Sequence, residues 1–133
     1  MKIHTGKLHR SNPTDAGSDI FSDDDVIIHE NSSEIISTKL RIQIDEGFVG
    51  FLKSRSGLSI KYGLEVGAGV IDSSYTGEVK VHLYNHGNNP YKINKGDKIA
   101  QLVVLKISLE DFEQVDELST TNRGESGFGS TGK

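Results

Sequence analysis

The chain has 133 residues, a formal net charge of -4 and no cysteine. Its length suffices for one domain, and the lack of cysteine excludes disulfides and thiolate chemistry. The acidic balance disfavours holding a nucleic-acid backbone by bulk charge, whereas a few placed cations and amides suffice for a small polyanion. No apolar run in the sequence is typical of a signal peptide or a membrane span. We therefore expect a soluble, intracellular protein of the cytoplasm, with the nucleus as the alternative.

Short apolar stretches separated by turn residues follow one another along the chain. β-branched or alternating patterns predict strands at residues 26–30, 39–44, 48–53, 66–71, 78–85 and 98–107. Residues 56–62 have room for one or two helical turns. Residues 108–118 begin with a capping-box pattern from Ser108 to Asp111, but their apolar stripe is weak, so the evidence for a second helix is thin. The repeated short strands predict an all-β barrel or a jelly-roll-like sandwich.

Residues 116–133 differ in composition from the rest of the chain. Leu118 and Phe128 are their only large apolar residues, so this segment cannot order itself by burial. It also combines the groups needed to wrap a phosphate chain and stack on a base, namely Arg123, four glycines, Phe128, Ser130 and Thr131. We predict a β-domain over residues 1–115 and a flexible arm over residues 116–133. The alternative is a frayed terminus without a function.

Two further segments are candidates for a site. Residues 53–57 carry Arg55, two serines and a glycine, which suits a phosphate site or, alternatively, a solvated turn. Asp72 directly follows an apolar run, so we expect a partly desolvated carboxylate able to act as a base. Tyr75 can offer its ring face to a sugar or a base. The alternative is an Asp-Ser hairpin turn with a structural tyrosine.

Two acidic and glycine-containing segments look like ordinary turns, at residues 15–19 and 95–101. Asp19 could help to hold a hydrated Mg²⁺ ion, since carboxylates usually meet this ion through its waters. Gln101 could donate to a phosphate. The histidines at positions 4, 9, 29, 82 and 86 have no metal-ligand spacing, and we interpret them as surface or strand residues.

In order and spacing, five segments from about Pro13 onward closely resemble the motifs of the homotrimeric dUTPases. Motif one matches Ala16-Gly17-Ser18-Asp19-Ile20, and motif two matches Arg55-Ser56-Gly57-Leu58. Motif three matches Gly69-Val70-Ile71-Asp72 through Gly77. Motif four matches Lys95-Gly96-Asp97-Lys98-Ile99-Ala100-Gln101, and motif five matches Arg123-Gly124 through Gly132.

This resemblance implies a distorted jelly-roll or β-clip-like barrel with at most one short helix, assembled as a trimer. Each active site would take motifs one, two and four from one subunit, motif three from a second and motif five from a third. The implied reaction is Mg²⁺-dependent hydrolysis of dUTP to dUMP and pyrophosphate. It would keep uracil out of DNA and supply dUMP for thymidylate synthesis.

The resemblance also implies individual roles. Asp72 would activate the water that attacks the α-phosphate, and Asp19 would meet Mg²⁺ through water, with the ion held chiefly by the triphosphate. Tyr75 would exclude a 2′-hydroxyl, and the backbone of residues 66–70 would read uracil. The implied substrate-binding set is Arg55, Ser56, Gly57, Val66, Gly69, Val70, Ile71, Tyr75, Gln101, Arg123, Phe128, Gly129, Ser130 and Thr131.

Two residues depart from the family pattern. Ser54 stands where the family usually has proline, which we expect to loosen a turn, and Ser74 stands where it usually has a second aspartate. Two other functions are alternatives. A dCTP deaminase would need an acid in the base pocket, where only the flanking Glu65 is available. A non-catalytic nucleotide sensor would bind dUTP without releasing pyrophosphate.

Overall fold

Twelve strands and one short helix make up the computed structural model, which describes residues 1–127. The all-β prediction with one short helix is confirmed. The strands are β1 Lys2–Thr5, β2 Leu8–His9, β3 Gly17–Phe21, β4 Val26–Ile28, β5 Ser32–Ile36, β6 Arg41–Gln43, β7 Phe48–Lys53, β8 Leu64–Gly67, β9 Val70–Ile71, β10 Val81–Asn85, β11 Tyr91–Ile93 and β12 Lys98–Lys106, and helix α1 is Ser56–Tyr62. Within these residues, no helix has the length and apolar character needed to cross a membrane.

The strands pair antiparallel in four sheets. The largest has the order β2-β3-β12-β7-β9, and the others are β5-β10-β8, β1-β6 and β11-β4. Among the described strands no sheet closes on itself into a barrel. Consecutive short strands often belong to different sheets, and each sheet therefore has two edge strands.

The core lies between these sheets and follows the alternation of the strands. In β10, Val81 and Leu83 are buried, whereas Tyr84 points outward. Asn85 is the polar exception, at 1% exposure. Its side-chain amide donates to the carbonyls of Ile28 and Asn89, each at 2.9 Å, so its burial leaves no unpaired donor. The alternation therefore identified the buried face correctly, as expected for strand period.

Two local predictions need correction. Residues 66–71 form two strands, because Ala68 and Gly69 have φ values of +53° and +108° and break the extended backbone. Residues 15–19 are not only a turn, since β3 begins at Gly17. In agreement with their weak apolar stripe, residues 108–118 form no helix. Ser108 Oγ accepts the Glu110 N–H in a local turn, and exposed side chains such as that of Phe112 have nothing to pack against.

Candidate active site

Strand order brings motifs one, two and four together at one end of the five-stranded sheet. In the central strand β12, Gln101 is paired with Asp19 of β3 on one side and with Lys53 of β7 on the other. Gly17 permits this packing, because an added Cβ would lie 2.2 Å from Gln101 Oε1. The sheet therefore gathers the side chains that sequence analysis assigned to phosphate and metal binding.

Asp19 is the centre of a compact ion cluster at this end. Its carboxylate accepts from Arg55 Nε at 3.0 Å and lies 2.7 Å from Lys98 Nζ, and its side chain is only 13% exposed. Burial alone would raise the pKa of Asp19. The hydrogen bond from Lys98 and the positive charges of Arg55 and Lys98 outweigh this effect and hold the pKa below its usual value. Asp19 is therefore ionised, with two cations directly beside it.

Ser54 links the phosphate end of the sheet to the segment predicted to read the base. Its carbonyl accepts from Gln101 Nε2 at 3.0 Å, and its hydroxyl accepts the Val66 N–H at the same distance. Proline at this position has no hydroxyl to accept that bond. The loosening of the turn by Ser54 stays a prediction, and in this chain its side chain adds a tether between the end of β7 and β8.

Ser56 and Gly57 form the first turn of α1 and are exposed. Arg55 caps the helix with an extended backbone, at φ -86° and ψ 131°. The same residue anchors its guanidinium on Asp19 and donates from Nη1 to the Lys98 carbonyl at 3.3 Å. Open space surrounds Gly57, where an added Cβ would meet no atom within 4 Å. This turn is accessible to a ligand next to the ion cluster.

Motif three forms the end of β9 followed by a loop over residues 72–79, which we name the hairpin although the flanking strands β9 and β10 do not pair with each other. Gly69 is buried and accepts the Leu52 N–H at 2.7 Å, and Val70 and Ile71 pair with β7. Asp72 follows, and its side chain is exposed in the single chain, so the predicted partial desolvation is wrong here. A cavity of about 270 Å³ lies beside it, lined by Val70, Ile71, Asp72, Tyr75, Glu78, Val79 and Lys80.

The two candidate half-sites lie at opposite ends of β7. Ile71 is opposite Gly50 and Val70 is opposite Phe51, so continuing the register sets Asp72 near Val49. Arg55 lies six positions beyond Val49 in the other direction, which is roughly 20 Å of extended backbone. In the described chain, none of Arg55, Ser56, Gln101 and Arg123 lines the cavity beside Asp72. One chain therefore does not bring the predicted base next to the predicted phosphate ligands.

Arg123 lies apart from both half-sites in an exposed segment. Residues 107–127 contain no strand or helix, and Arg123 Nε donates to the Ser126 carbonyl at 2.8 Å. The other predicted arm residues, Phe128, Gly129, Ser130 and Thr131, lie outside the described residues.

The donor set fits a magnesium ion only through its water shell. In residues 1–127, no group of three or more His, Asp or Glu side chains could hold a metal ion. Asp19 has two cations at its oxygens, and these oppose direct contact with a second positive charge. Each of its oxygens retains lone-pair capacity for a metal-bound water.

Sequence reasoning missed two side chains of the ion cluster. The sequence places Lys98 in motif four at the start of a predicted strand and His9 among the surface or strand histidines, but it predicts no contact of either with Asp19, whose Oδ2 lies 2.7 Å from Lys98 Nζ and 3.9 Å from His9 Nδ1. Lys98 lies three positions before Gln101 in the sequence, and this spacing carries no information about a contact with Asp19. His9 comes from β2, which pairs with β3 through His9 and Asp19. Only the tertiary pairing reveals both contacts.

Comparisons with known proteins identify the relatives of this chain. The family model described as dUTPase matches residues 5–132. Deoxyuridine 5'-triphosphate nucleotidohydrolase of Debaryomyces hansenii is 44% identical over 126 residues, which cover 93% of this chain and 79% of that protein. The enzyme with the same description from Mus musculus is 44% identical over 133 residues, covering 100% of this chain and 82% of the relative.

Solved structures extend the likeness to the fold. A mutant dUTPase of Staphylococcus bacteriophage 80alpha, solved with dUpNHpp, superimposes with a TM-score of 0.93 at 32% identity, covering 99% of this chain and 98% of that one. A mutant dUTPase from phage phi11 of S. aureus, described with the coordination of a structural Mg(II) ion, gives 0.82 at 30% identity, with 90% and 98% coverage.

Proposed function

The chain belongs to the dUTPase family, and on this premise we propose that Asp72 is the base for hydrolysis of dUTP at a site shared between subunits. Hydrolysis of dUTP is the activity of the family and of this chain. The observation that carries the shared site is the separation of Asp72 from Arg55 along β7. A homotrimer solves this problem, because the Asp72 end of one subunit then faces the Arg55 end of another.

In the proposed reaction, the Asp72 carboxylate takes a proton from a water molecule. The water oxygen forms a bond to the α-phosphorus, the bond from that phosphorus to the bridging oxygen breaks, and pyrophosphate leaves. Such a reaction depends mainly on positioning and charge neutralisation. Arg55, Gln101 and the exposed turn of Ser56 and Gly57 hold the α- and β-phosphates in this proposal. Magnesium, with Asp19 in its outer shell, neutralises phosphate charge when it is bound.

Motif three supplies the base and sugar contacts in the same proposal. The backbone of residues 66–70 reads the uracil edge, and Ser54 supports this segment through its bond to the Val66 N–H. Gly69 and Ile71 fix the strand end that precedes Asp72. Tyr75 is 45% exposed beside the cavity, and in this proposal its ring excludes a ribose 2′-hydroxyl.

Residues 116–133 act as an arm that closes over a neighbouring subunit's site. Its described part is exposed, which suits a segment that must reach away from its own domain. Phe128 and Gly129 cover the uracil, and Arg123, Ser130 and Thr131 bind the γ-phosphate. Deleting residues 123–133 should leave a folded trimer with poor turnover of dUTP. Loss of assembly, measured by light scattering, would make the segment structural and contradict the arm.

Pyrophosphate release from dUTP, UTP, dTTP and dCTP, measured side by side with Mg²⁺, tests the proposal. We expect rapid release from dUTP and slow release from the other three. Ammonia release from dCTP would instead support a deaminase. Binding of dUTP without release of pyrophosphate would support a nucleotide sensor.

A further inference from the structure

The hairpin of residues 72–79 carries both Asp72 and Tyr75 but has little packing of its own. Asp72, Tyr75 and Thr76 are all exposed. Inside the hairpin, the Tyr75 N–H donates to the Asp72 carbonyl at 3.1 Å, and the Tyr75 hydroxyl donates to the Glu78 carbonyl at 2.7 Å. The position of the tyrosine ring therefore depends on where the backbone of Glu78 is held.

The Glu78 side chain holds that backbone against the turn at residues 37–39. One carboxylate oxygen, Oε1, accepts from the Ser37 hydroxyl, from the Thr38 N–H at 3.2 Å and from the Lys39 N–H at 2.9 Å. Lys39 has a φ of +54°, and two successive N–H groups converge on one oxygen. Such backbone concavities bind anions. The bonds from Ser37 and from the Lys39 backbone lower the pKa of Glu78, so the side chain is ionised.

Two flanking contacts join the hairpin to the same part of the chain. The Val79 N–H donates to the Leu40 carbonyl at 2.8 Å, and Arg41 Nε donates to the Thr76 carbonyl at 3.1 Å. These contacts reach backbone atoms on either side of Glu78. The Glu78 carboxylate adds a charge-assisted contact, the stronger kind of hydrogen bond, next to the residue whose carbonyl holds Tyr75.

We propose that Glu78 is a positioning residue for the hydrolysis of dUTP: its carboxylate clamps the hairpin on the turn of residues 37–39 and thereby sets Asp72 and Tyr75. The proposal rests on the proposed function, because it assigns a purpose to the geometry of those two side chains. Glu78 touches no reacting atom. The Glu78 carboxylate acts on the substrate through the backbone of the hairpin. Its loss should therefore change both the turnover of dUTP and the preference for deoxyribose over ribose.

Steady-state kinetics of Glu78→Ala and Glu78→Gln with dUTP and UTP test the clamp. Misplacing the hairpin in Glu78→Ala should lower kcat for dUTP on the order of tenfold, and should narrow the ratio of kcat/KM between dUTP and UTP. Glu78→Gln keeps an oxygen at the same place and should recover most of both quantities. Unaltered kcat and an unaltered dUTP-to-UTP ratio in folded Glu78→Ala would overturn the proposal.

Asp24→Ala is the matched control, because Asp24 Oδ2 accepts the Ser37 N–H at 3.0 Å and holds the same turn without a bond to the hairpin. It should lower stability and leave the dUTP-to-UTP ratio unchanged. An equal change of the ratio in Asp24→Ala would overturn the clamp in favour of general loop integrity. If Glu78→Ala does not fold, the same kinetics are measured for Ser37→Ala, which removes one of the three hydrogen bonds to the Glu78 carboxylate. An unchanged dUTP-to-UTP ratio of kcat/KM in Ser37→Ala would overturn the proposal. Turnover of dUTP by the unaltered chain tests the proposed function separately.

Discussion

Asp72 is the residue on which the proposed chemistry depends. It follows β9 directly, its carboxylate is exposed, and it borders the cavity beside Tyr75. Asp72→Asn keeps the size of the side chain but removes the base. We expect kcat for dUTP to fall by about 100- to 10,000-fold, with nucleotide binding preserved in calorimetry. Unimpaired turnover would assign the base to another group.

Glu46→Gln is the control for this substitution. Glu46 is an exposed acid that lines a neighbouring cleft together with Asp45, Ser73 and Ser74. It should leave kcat unchanged, because it removes a similar charge without touching the cavity beside Asp72.

The same cleft gives a physical reason for Ser74. An aspartate there would add a third carboxylate next to Asp45 and Glu46, at a cost in repulsion.

Because of Glu78, we expect the stability of the fold to change with pH in the acidic range. Its pKa lies below the usual 4.5, because the Ser37 hydroxyl and the Lys39 N–H donate to the ionised form. The contribution to stability is therefore complete above the unfolded-state pKa and is lost as the pH falls through the folded-state pKa. We expect the difference in Tm between the unaltered chain and Glu78→Gln to be largest at neutral pH and to narrow between about pH 5 and pH 3. A constant difference would contradict this account.

Individual residues were predictable where a local pattern carried the information. Asp72, Tyr75 and Arg55 stand out because of their immediate neighbours in the sequence. The Glu78 clamp could not be found in this way, since its partners are 39 to 41 positions away and depend on the left-handed backbone of Lys39. The desolvation expected for Asp72 failed for a similar reason. An apolar run fixes the burial of a strand but not of the residue that follows it.

Gly17 of β3 is sensitive to substitution because it lies against the Gln101 side chain of β12. An added Cβ would lie 2.2 Å from Gln101 Oε1 and 3.0 Å from its Cδ. Gly17→Ala must therefore displace the Gln101 amide from the Ser54 carbonyl. We expect a loss of stability of about 1 kcal/mol, typical of one hydrogen bond, together with a several-fold higher KM for dUTP. Both are measurable, by denaturant unfolding and by steady-state kinetics.

Ser18→Ala is the control for Gly17→Ala, since the next residue of β3 points to the other face of the sheet. It should leave KM unchanged. An equal rise in KM would show that β3 responds to any substitution, and the contact with Gln101 would then not be the cause.

Elements with a clear period were predicted well. β7 has the predicted bounds, and β10 and β12 lie within the predicted ranges. β3 was missed because Gly17, Ser18 and Asp19 have weak strand propensity and form a strand only between β2 and β12. The capping pattern at residues 108–118 produces no helix, because such a pattern does not replace an apolar face to bury.

At the scale of the whole molecule, the division of the site between subunits is implied only by the resemblance to the dUTPases and by no local pattern of the sequence. The pairing of β7 with β12 and with β9 sends the phosphate ligands and the base to opposite ends of one sheet. This separation is a property of strand direction, which no local pattern encodes. If these residues have the proposed roles, a complete site takes them from more than one copy of the chain, and this has a direct experimental consequence.

Mixed assemblies of two inactive chains test this consequence. Asp72→Asn and Arg55→Ala chains are unfolded together in equal amounts and refolded. If a site takes Asp72 and Arg55 from different subunits, about one quarter of the sites receive both intact residues, and pyrophosphate release returns to about a quarter of the unaltered level. Asp72→Asn mixed with Asp72→Ala should stay inactive, because no subunit supplies the base. Failure of the first mixture to regain activity, despite confirmed mixed trimers, would mean that both residues of a site belong to one chain.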